Sequence, residues 1–263
     1  MKQFLIVCSA IAGLCACALP SAAGPTFVAV PGNVLSTLDK GVPRGVFIRA
    51  VDAVLREMGK TPAYLLIPTS VALNSLEEGK LDVGTAIVPL ARDQERVWFS
   101  APILTEYSVV AVLRNKTFPL ARIADLYGRK IGARVGFRYP MLDGDQGVTI
   151  ARYRSEGEMI RALLFGEVDG ILISSVTEIN VLRTEGMISK LDILPIAVDR
   201  VPLIAAFSKK SFSADEVRDF NVHMDSFKKG PVWAAILNQN GLADLVRDWP
   251  LIDRRRTDGA TSE

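Results

Sequence analysis

The sequence has few of the residues that form covalent cross-links and metal centres. Its three cysteines, Cys8, Cys15 and Cys17, all lie within the first 17 residues, and His223 is the single histidine of 263 residues. The rest of the chain has no cysteine, so its fold must depend on a packed core and not on disulfides. One isolated histidine excludes a His/Cys metal site and makes a Ser-His-Asp triad a poor interpretation.

The chain also lacks a strong excess of charge of either sign. It has 31 Lys and Arg against 29 Asp and Glu, for a net charge of +2. Nucleic-acid-binding domains normally carry a basic face or stripe, so this balance excludes that class. No glycine pattern typical of a phosphate-binding loop is present. We therefore predict no metal, no cofactor and no nucleic-acid partner.

The first 23 residues have the layout of a secretory signal peptide. One lysine precedes an apolar run from Phe4 to Leu19, and the small residues Ser21-Ala22-Ala23 follow. The run is shorter than the roughly 20 residues that a membrane-spanning helix needs. We predict a signal peptide over residues 1–23, cleaved before Gly24, with lipid attachment at Cys17 as the alternative.

After residue 24, strand-like and helix-like segments alternate. Short apolar runs predict strands at 27–30, 63–68, 81–88, 107–114, 130–135, 148–153, 168–174, 191–198 and 202–208. Helical periodicity predicts helices at 45–60, 70–78, 121–128, 155–165, 176–186 and over most of 213–249. This order is typical of βαβ units, which build parallel sheets covered by helices.

One short pattern occurs twice. "LEEGKLD" (76–82) and "LLFGEVD" (163–169) share a frame of Leu, two residues, Gly, two residues and Asp. In both copies a predicted helix ends at the glycine, which tolerates the left-handed conformation, and a predicted strand begins near the aspartate. We expect the aspartate to accept hydrogen bonds from backbone amides where the strand enters the sheet. The repeat indicates two similar α/β lobes, although two unrelated helix ends would give the same letters.

Six segments follow one another in a characteristic order. They are the helix that begins at Gly45 (45–60), "LNSLEEGKLDVGTAI" (73–87), "ARDQERVWFSAPI" (91–103), "YSVVAVLR" (107–114), "IADLYGRKIGARVG" (123–136) and "MIRALLFGEVDGILIS" (159–174). Together they resemble the amino-acid-binding branch of the type 2 periplasmic solute-binding proteins of ABC importers. The resemblance covers nearly all of the chain after residue 24.

The resemblance implies an α/β fold of two similar lobes with mainly parallel sheets, joined by two crossing hinge strands. Lobe 1 would comprise 24–110 and 201–250, lobe 2 would comprise 111–200, and 251–263 would be a disordered tail. It further implies a periplasmic monomer that closes on a small-molecule ligand and delivers it to an ABC transporter permease. Such ligands bind at the carboxyl ends of the strands.

The resemblance also implies ligand-binding residues in lobe 1. An arginine in this family holds the ligand's carboxylate, a task that suits the planar guanidinium. Arg96 is the first candidate and Arg92 the second, and either could instead be a surface arginine. Asn33, Thr69 and Thr85 complete the predicted lobe 1 set.

In lobe 2 the implied ligand-binding residues are Arg138 and Tyr139, which follow Gly136, and Ser174. An acidic residue that holds the ligand's ammonium is usual at the position of Ser174, and the next carboxylate along the chain is Glu178. A buried ammonium without a counter-charge costs several kcal/mol. The sequence therefore predicts a small polar or anionic solute, either amino-acid-like or an organic acid.

Two other functions fit the same fold. The protein could be a non-transport periplasmic partner or sensor module, with another periplasmic protein as its target. It could also be a dehydratase-type enzyme that uses Glu106 or Glu178 in the cleft. The interpretation that we adopt is a binding protein and not an enzyme.

Overall fold

The structure is a computed structural model, and it describes residues 24–253. The predicted signal peptide and residues 254–263 of the predicted tail lie outside the described residues.

The described residues form eleven strands and six helices. The strands are β1 (Thr26–Val30), β2 (Thr37–Asp39), β3 (Val42–Arg44), β4 (Pro62–Leu66), β5 (Val83–Ile87), β6 (Val97–Phe99), β7 (Leu104–Leu113), β8 (Lys130–Arg134), β9 (Thr149–Tyr153), β10 (Gly170–Ser174) and β11 (Leu191–Ser208). The helices are α1 (Val46–Glu57), α2 (Thr69–Glu78), α3 (Glu156–Leu164), α4 (Thr177–Thr184), α5 (Ala214–Lys229) and α6 (Pro231–Gln239). Short 3₁₀ turns lie at Ala91–Asp93, Ile123–Leu126 and Met187–Lys190.

The two halves of the sheet have the same strand order. In the first half β1 lies between β4 and β5, and all three are parallel. In the second half β8 lies between β9 and β10, again in parallel. An antiparallel strand then follows each set, β11 beside β5 and β7 beside β10. The predicted α/β class with mainly parallel sheets is confirmed, and we call these halves lobe 1 and lobe 2.

Strands β7 and β11 join the two lobes and pair with each other in antiparallel register. Because β5 runs against β11 and β10 runs against β7, the carboxyl ends of both parallel sets point toward the crossing. The end of β5 reaches Ile204 of β11, and the end of β10 reaches Ser108 of β7, which pairs with Asp199. Positions 199 and 204 are five residues apart on β11, which corresponds to roughly 16 Å of strand. The two edges therefore face each other at the crossing of β7 and β11.

The repeated Leu-x-x-Gly-x-x-Asp frame forms the same corner in both lobes. Gly79 and Gly166 both have positive φ, 74° and 73°. The Asp82 carboxylate accepts from the Phe27 amide at 2.7 Å, and the Asp169 carboxylate accepts from the Lys130 amide at 2.8 Å. The predicted bond between aspartate and backbone amide is confirmed. In both lobes the donor is a backbone amide at the start of the neighbouring parallel strand.

The cores of the two lobes are covered differently. In lobe 1, helix α1 packs with α5 and α6 on one face of the sheet, and α2 covers the other face. In lobe 2, helices α3 and α4 cover one face. The other face is covered by two connections, from β7 to β8 and from β8 to β9. The first contributes the buried residues Phe118 and Leu120, and the second contributes Tyr139 and Leu142.

Two predictions about local structure are corrected, and three short strands are added. The two strands expected at 191–198 and 202–208 form one strand, since Pro202 is accommodated where β11 pairs with Thr105 of β7. The helix expected at 121–128 is a single 3₁₀ turn. The antiparallel hairpin of β2 and β3 and the short strand β6 were not predicted, because each has only three residues.

The start of the predicted disordered tail is also corrected. Leu251 and Asp253 form isolated bridges with Ala197 and Arg122 of lobe 2. Ile252 donates to the Ala197 carbonyl and is 5% exposed in the lobe 2 core. Residues 251–253 are therefore held in place by lobe 2.

Candidate functional site

A shallow pocket of about 380 Å³ lies at the carboxyl edge of lobe 1, beside α2. Its lining includes three predicted ligand-binding residues, Thr69, Arg92 and Arg96. Thr69 begins α2 immediately after β4, and both arginines lie in the segment after β5. The order of the strands therefore brings these three residues together.

Arg96, the preferred candidate, is already paired within lobe 1. Its Nε donates to Glu77 Oε2 at 2.8 Å, its Nη2 donates to Asn74 at 2.6 Å, and its Nη1 lies 3.4 Å from the buried Asp93. The hydrogen bond from Arg96 lowers the pKa of the Glu77 carboxyl. Two carboxylates thus share this guanidinium, and a ligand's carboxylate would have to compete with both of them.

Arg92, the second candidate, is the more available of the two. Its side chain is 79% exposed, and its Nε lies 3.9 Å from Asp93, near the limit for an ion pair. A guanidinium this exposed keeps most of its donors for another partner. The geometry favours Arg92 as the cation that this edge offers.

The other lobe 1 predictions differ in their accessibility. Thr69 is exposed at the start of α2. Asn33 is exposed after β1, but its Oδ1 accepts from the amides of Leu35 and Ser36, which fixes the turn. The prediction for Thr85 is corrected. Its side chain is 1% exposed inside the sheet and donates to the Ala29 carbonyl at 2.9 Å, so it does not reach the edge.

Ser174, the last residue of β10, lies at the centre of a hydrogen-bond network at the lobe 2 edge. Its hydroxyl donates to Glu106 Oε1 at 2.6 Å, and the Thr177 amide donates to the same oxygen at 2.8 Å. Glu106 comes from the crossing strand β7. The carboxylate that the sequence does not provide at position 174 is therefore supplied from 68 residues earlier in the chain.

Glu178 adds a second carboxyl group to this edge. It lies in the first turn of α4, and its Oε2 accepts from the Ser174 amide. Its other oxygen is buried without a hydrogen-bond partner, and Arg134 Nη1 lies 3.8 Å away. Burial raises the pKa of Glu178 to about 7, and the repulsion from Glu156 and Glu106 adds to the rise, while the Ser174 amide and Arg134 oppose it.

Of the basic and aromatic residues predicted to bind ligand in lobe 2, one is exposed and one is buried. Arg138 is exposed beyond the end of β8. The prediction for Tyr139 is corrected, because its ring is 5% exposed and belongs to the lobe 2 core. Burial, and then the proximity of Glu178, raise the pKa of the Tyr139 hydroxyl to about 12. The exposed aromatic ring after β8 is Phe137, which sequence reasoning had passed over.

Sequence reasoning named Glu106 only for the enzyme alternative and missed its contact with Ser174. No local motif marks it, since its position depends on how β7 pairs with β10. Glu178 could have been found from its spacing, because a residue four places after Ser174 in a new helix returns to the end of the strand.

Two absences can be stated for residues 24–253. This part of the chain contains no cluster of three or more His, Cys, Asp or Glu side chains that could hold a metal ion. None of its helices combines the length and the apolar character that a membrane crossing requires.

Two parallel sheets of the same order, joined by a pair of crossing strands and with their carboxyl ends facing each other, define the fold of the type 2 periplasmic solute-binding proteins. The fold resemblance inferred from the sequence is confirmed by comparison with solved structures. Matching structures are amino-acid-binding proteins of ABC transporters and related ligand-binding cores.

The GluR0 ligand-binding core in complex with L-glutamate superposes with a TM-score of 0.66 at 16% identity, over 83% of this chain and 99% of that chain. A polar amino acid ABC uptake transporter substrate-binding protein from Streptococcus thermophilus gives a TM-score of 0.62 at 16% identity, over 82% and 84%. In sequence, the chain is 22% identical over 197 residues to the probable amino-acid-binding protein YxeM of Bacillus subtilis strain 168, covering 73% of each chain. No family model matches the sequence.

Proposed function

We propose that this protein is a periplasmic binding protein that captures an amino-acid-like solute between its two lobes and delivers it to an ABC importer. The observation that carries this proposal is the pair of carboxyl groups, Glu106 and Glu178, gathered around Ser174. Ionised carboxyl groups at this edge can supply the negative charge that an ammonium group needs. The sequence places no acidic residue at position 174, which led to the prediction of a small polar or anionic solute.

The opposite edge supports the same class of ligand. Arg92 is 79% exposed there, and the α2 amino terminus begins at the exposed Thr69. A guanidinium and free backbone amides at a helix start both favour a carboxylate. A solute with an ammonium group at one end and a carboxylate at the other matches lobe 2 and lobe 1 respectively.

Exposed apolar side chains at both edges support closure around the solute. Leu66, Val88 and Leu90 lie at the ends of β4 and β5, and Val135 and Phe137 follow β8, with exposed fractions between 39% and 63%. Apolar surface on facing edges loses its contact with water when the lobes approach. Hinge closure of this kind is a known response of two-lobed proteins to ligand.

The test is a thermal-shift screen of the purified protein against the twenty standard L-amino acids, dicarboxylic acids, sugars and polyamines. A ligand at a hundred times its dissociation constant adds about 2.7 kcal/mol of stability, which gives a clear shift in Tm. We expect a hit among amino acids, which Arg92→Ala weakens more than Arg96→Ala does. No hit in any class would overturn the proposal and favour the partner or sensor module.

A further inference from the structure

Three glutamates and the Arg134 guanidinium lie close together at the lobe 2 edge, and the nearby Arg152 pairs with Asp143. Glu106 comes from β7, Glu156 from α3 and Glu178 from α4, and Arg134 at the end of β8 is the cation among them. All four side chains are partly buried. Tyr139, another titratable group near Glu178, carries no charge at neutral pH, and burial raises its pKa further from that range.

Three buried atoms in this cluster lack hydrogen-bond partners. They are Glu178 Oε1, Glu156 Oε1 and Arg134 Nε. A buried carboxylate oxygen without a donor is costly, and a proton on that oxygen removes most of the cost. Glu178 is the group on which this proton is best placed, because its side chain is 14% exposed and its other oxygen is fixed by the Ser174 amide.

We propose that Glu178 holds a proton in the ligand-free protein and releases it when the ammonium group of an amino-acid ligand enters the lobe 2 edge. The O–H bond of the carboxylic acid breaks, the proton leaves to solvent, and the resulting carboxylate pairs with the ammonium. No oxidation or reduction is involved. This inference rests on the proposed function, since it assigns a proton-linked regulation to the same site.

The sign of the pH dependence follows directly. An ammonium group lowers the pKa of a carboxyl group beside it, so binding and protonation of Glu178 oppose each other. Burial raises the pKa of Glu178 to about 7 in the free protein, so affinity should be full above pH 8. Below pH 7 the affinity should fall by roughly tenfold for each pH unit.

The experiment has a ligand-free arm and a ligand arm. In the first, ¹³C NMR follows the glutamate carboxyl carbons with pH, and the resonance missing in Glu178→Gln is assigned to Glu178. We expect it to titrate near pH 7. Titration near pH 4.5 would overturn the inference and leave the proposed function intact.

In the ligand arm, the twenty standard L-amino acids are screened at pH 8, and the tightest binder is titrated by calorimetry at pH 7 in two buffers of different ionisation enthalpy. We expect about half a proton released per ligand bound. Glu178→Gln should abolish the release, while Glu167→Gln, an exposed residue at the far end of lobe 2, should not change it.

A second variant keeps the inference testable if Glu178→Gln does not fold. Glu156→Gln removes a repelling neighbour, so the midpoint of the pH dependence should move to lower pH. Tight binding without proton release would contradict the inference alone. Failure of all twenty amino acids to bind at pH 8 would contradict the proposed function as well.

Discussion

The two lobes share the corner at the amino ends of β5 and β10 and differ at the carboxyl edge. At the corner, Gly79 and Asp82 in lobe 1 match Gly166 and Asp169 in lobe 2 in backbone conformation and in hydrogen bonding. At the opposite ends of the same strands, lobe 1 presents arginine and lobe 2 presents carboxyl groups. The repeated part builds the sheet, and the differing part is where we propose that the solute binds, so the comparison separates residues that serve folding from candidates for binding.

The largest effect should come from the leucines of the repeat. Leu76 and Leu163 are 0% and 1% exposed, and truncation of a buried leucine costs about 2 to 5 kcal/mol. We expect Leu76→Ala and Leu163→Ala each to lower the free energy of unfolding by that amount in chemical denaturation. Leu164→Ala, at a neighbouring residue 36% exposed, is the control and should cost less. An effect in one lobe alone would show that the corners are not equivalent.

The edges should respond to pH in opposite directions. The pKa of Glu178 is raised to about 7 by burial, so its stabilising contribution is full below pH 4.5 and is lost as pH rises through 7. Glu178→Gln should therefore stabilise the protein above pH 7 by about 1 to 3 kcal/mol relative to wild type. Thermal unfolding of both proteins from pH 4 to 9 measures this, and parallel pH curves would refute it.

Glu77 at the lobe 1 edge should show the reverse trend. The hydrogen bond from Arg96 lowers its pKa, so its contribution is present above pH 4.5 and is lost as pH falls further. Glu77→Gln should flatten the acid side of the stability curve only. A change confined to pH values above 5 would mean that the ion pair with Arg96 does not form in solution.

The aspartates of the repeat should have intermediate effects. Each accepts one amide hydrogen bond at the start of a parallel strand, and a bond of this kind at a partly exposed site contributes about 1 to 2 kcal/mol. Asp82→Ala and Asp169→Ala should cost similar amounts, and the double variant should cost their sum because the sites are in different lobes. Asp219→Ala, an exposed aspartate on α5, should change stability little.

The smallest effects should come from the glycines. Alanine at Gly79 or Gly166 must adopt a positive φ, which costs about 1 kcal/mol. At Gly79 the added Cβ would also lie 2.8 Å from Lys210 Cδ, whereas at Gly166 nothing lies within 4 Å. Gly79→Ala should therefore cost slightly more, and Gly144→Ala, which has no such constraint, should be close to neutral. Equal losses of stability for all three variants would contradict the left-handed backbone conformation at Gly79 and Gly166.

The fold was largely predictable from the sequence because its signals are local. Runs such as "VDGILIS" and the glycines that end helices fix elements within a few residues of chain. The repeated frame even predicted a specific contact, the aspartate that accepts from a backbone amide. The predictions that failed were local. The three-residue strands β2, β3 and β6 were missed, and β11 was divided at Pro202, although it continues through that residue.

The candidate site was less predictable because its key contacts are distant in sequence. Glu106 reaches Ser174 only through the pairing of β7 with β10, and no pattern around residue 106 indicates this. Arg96 lies in the segment that resembles the family's arginine-bearing turn. Its guanidinium, however, donates to the carboxylate of Glu77 on α2. The sequence was enough to predict which residue types lie at these edges. Their hydrogen-bond partners could be identified only once the pairing of the strands was known.

The pairing of β7 with β11 is regular at its centre and irregular on the lobe 2 side. Residues 104–108 pair without interruption with 199–203, and the register shifts between Ile193 and Asp199. On the lobe 1 side, the pairing of β11 with β5 shifts between Ile204 and Ala206. A β-bulge interrupts the ladder and bends its strand. The crossing is therefore a regular ladder of five residue pairs, and its strands bend where they pass into each lobe. Glu106 lies within the regular part, opposite Val201, so its backbone position is fixed by the crossing itself and not by either lobe.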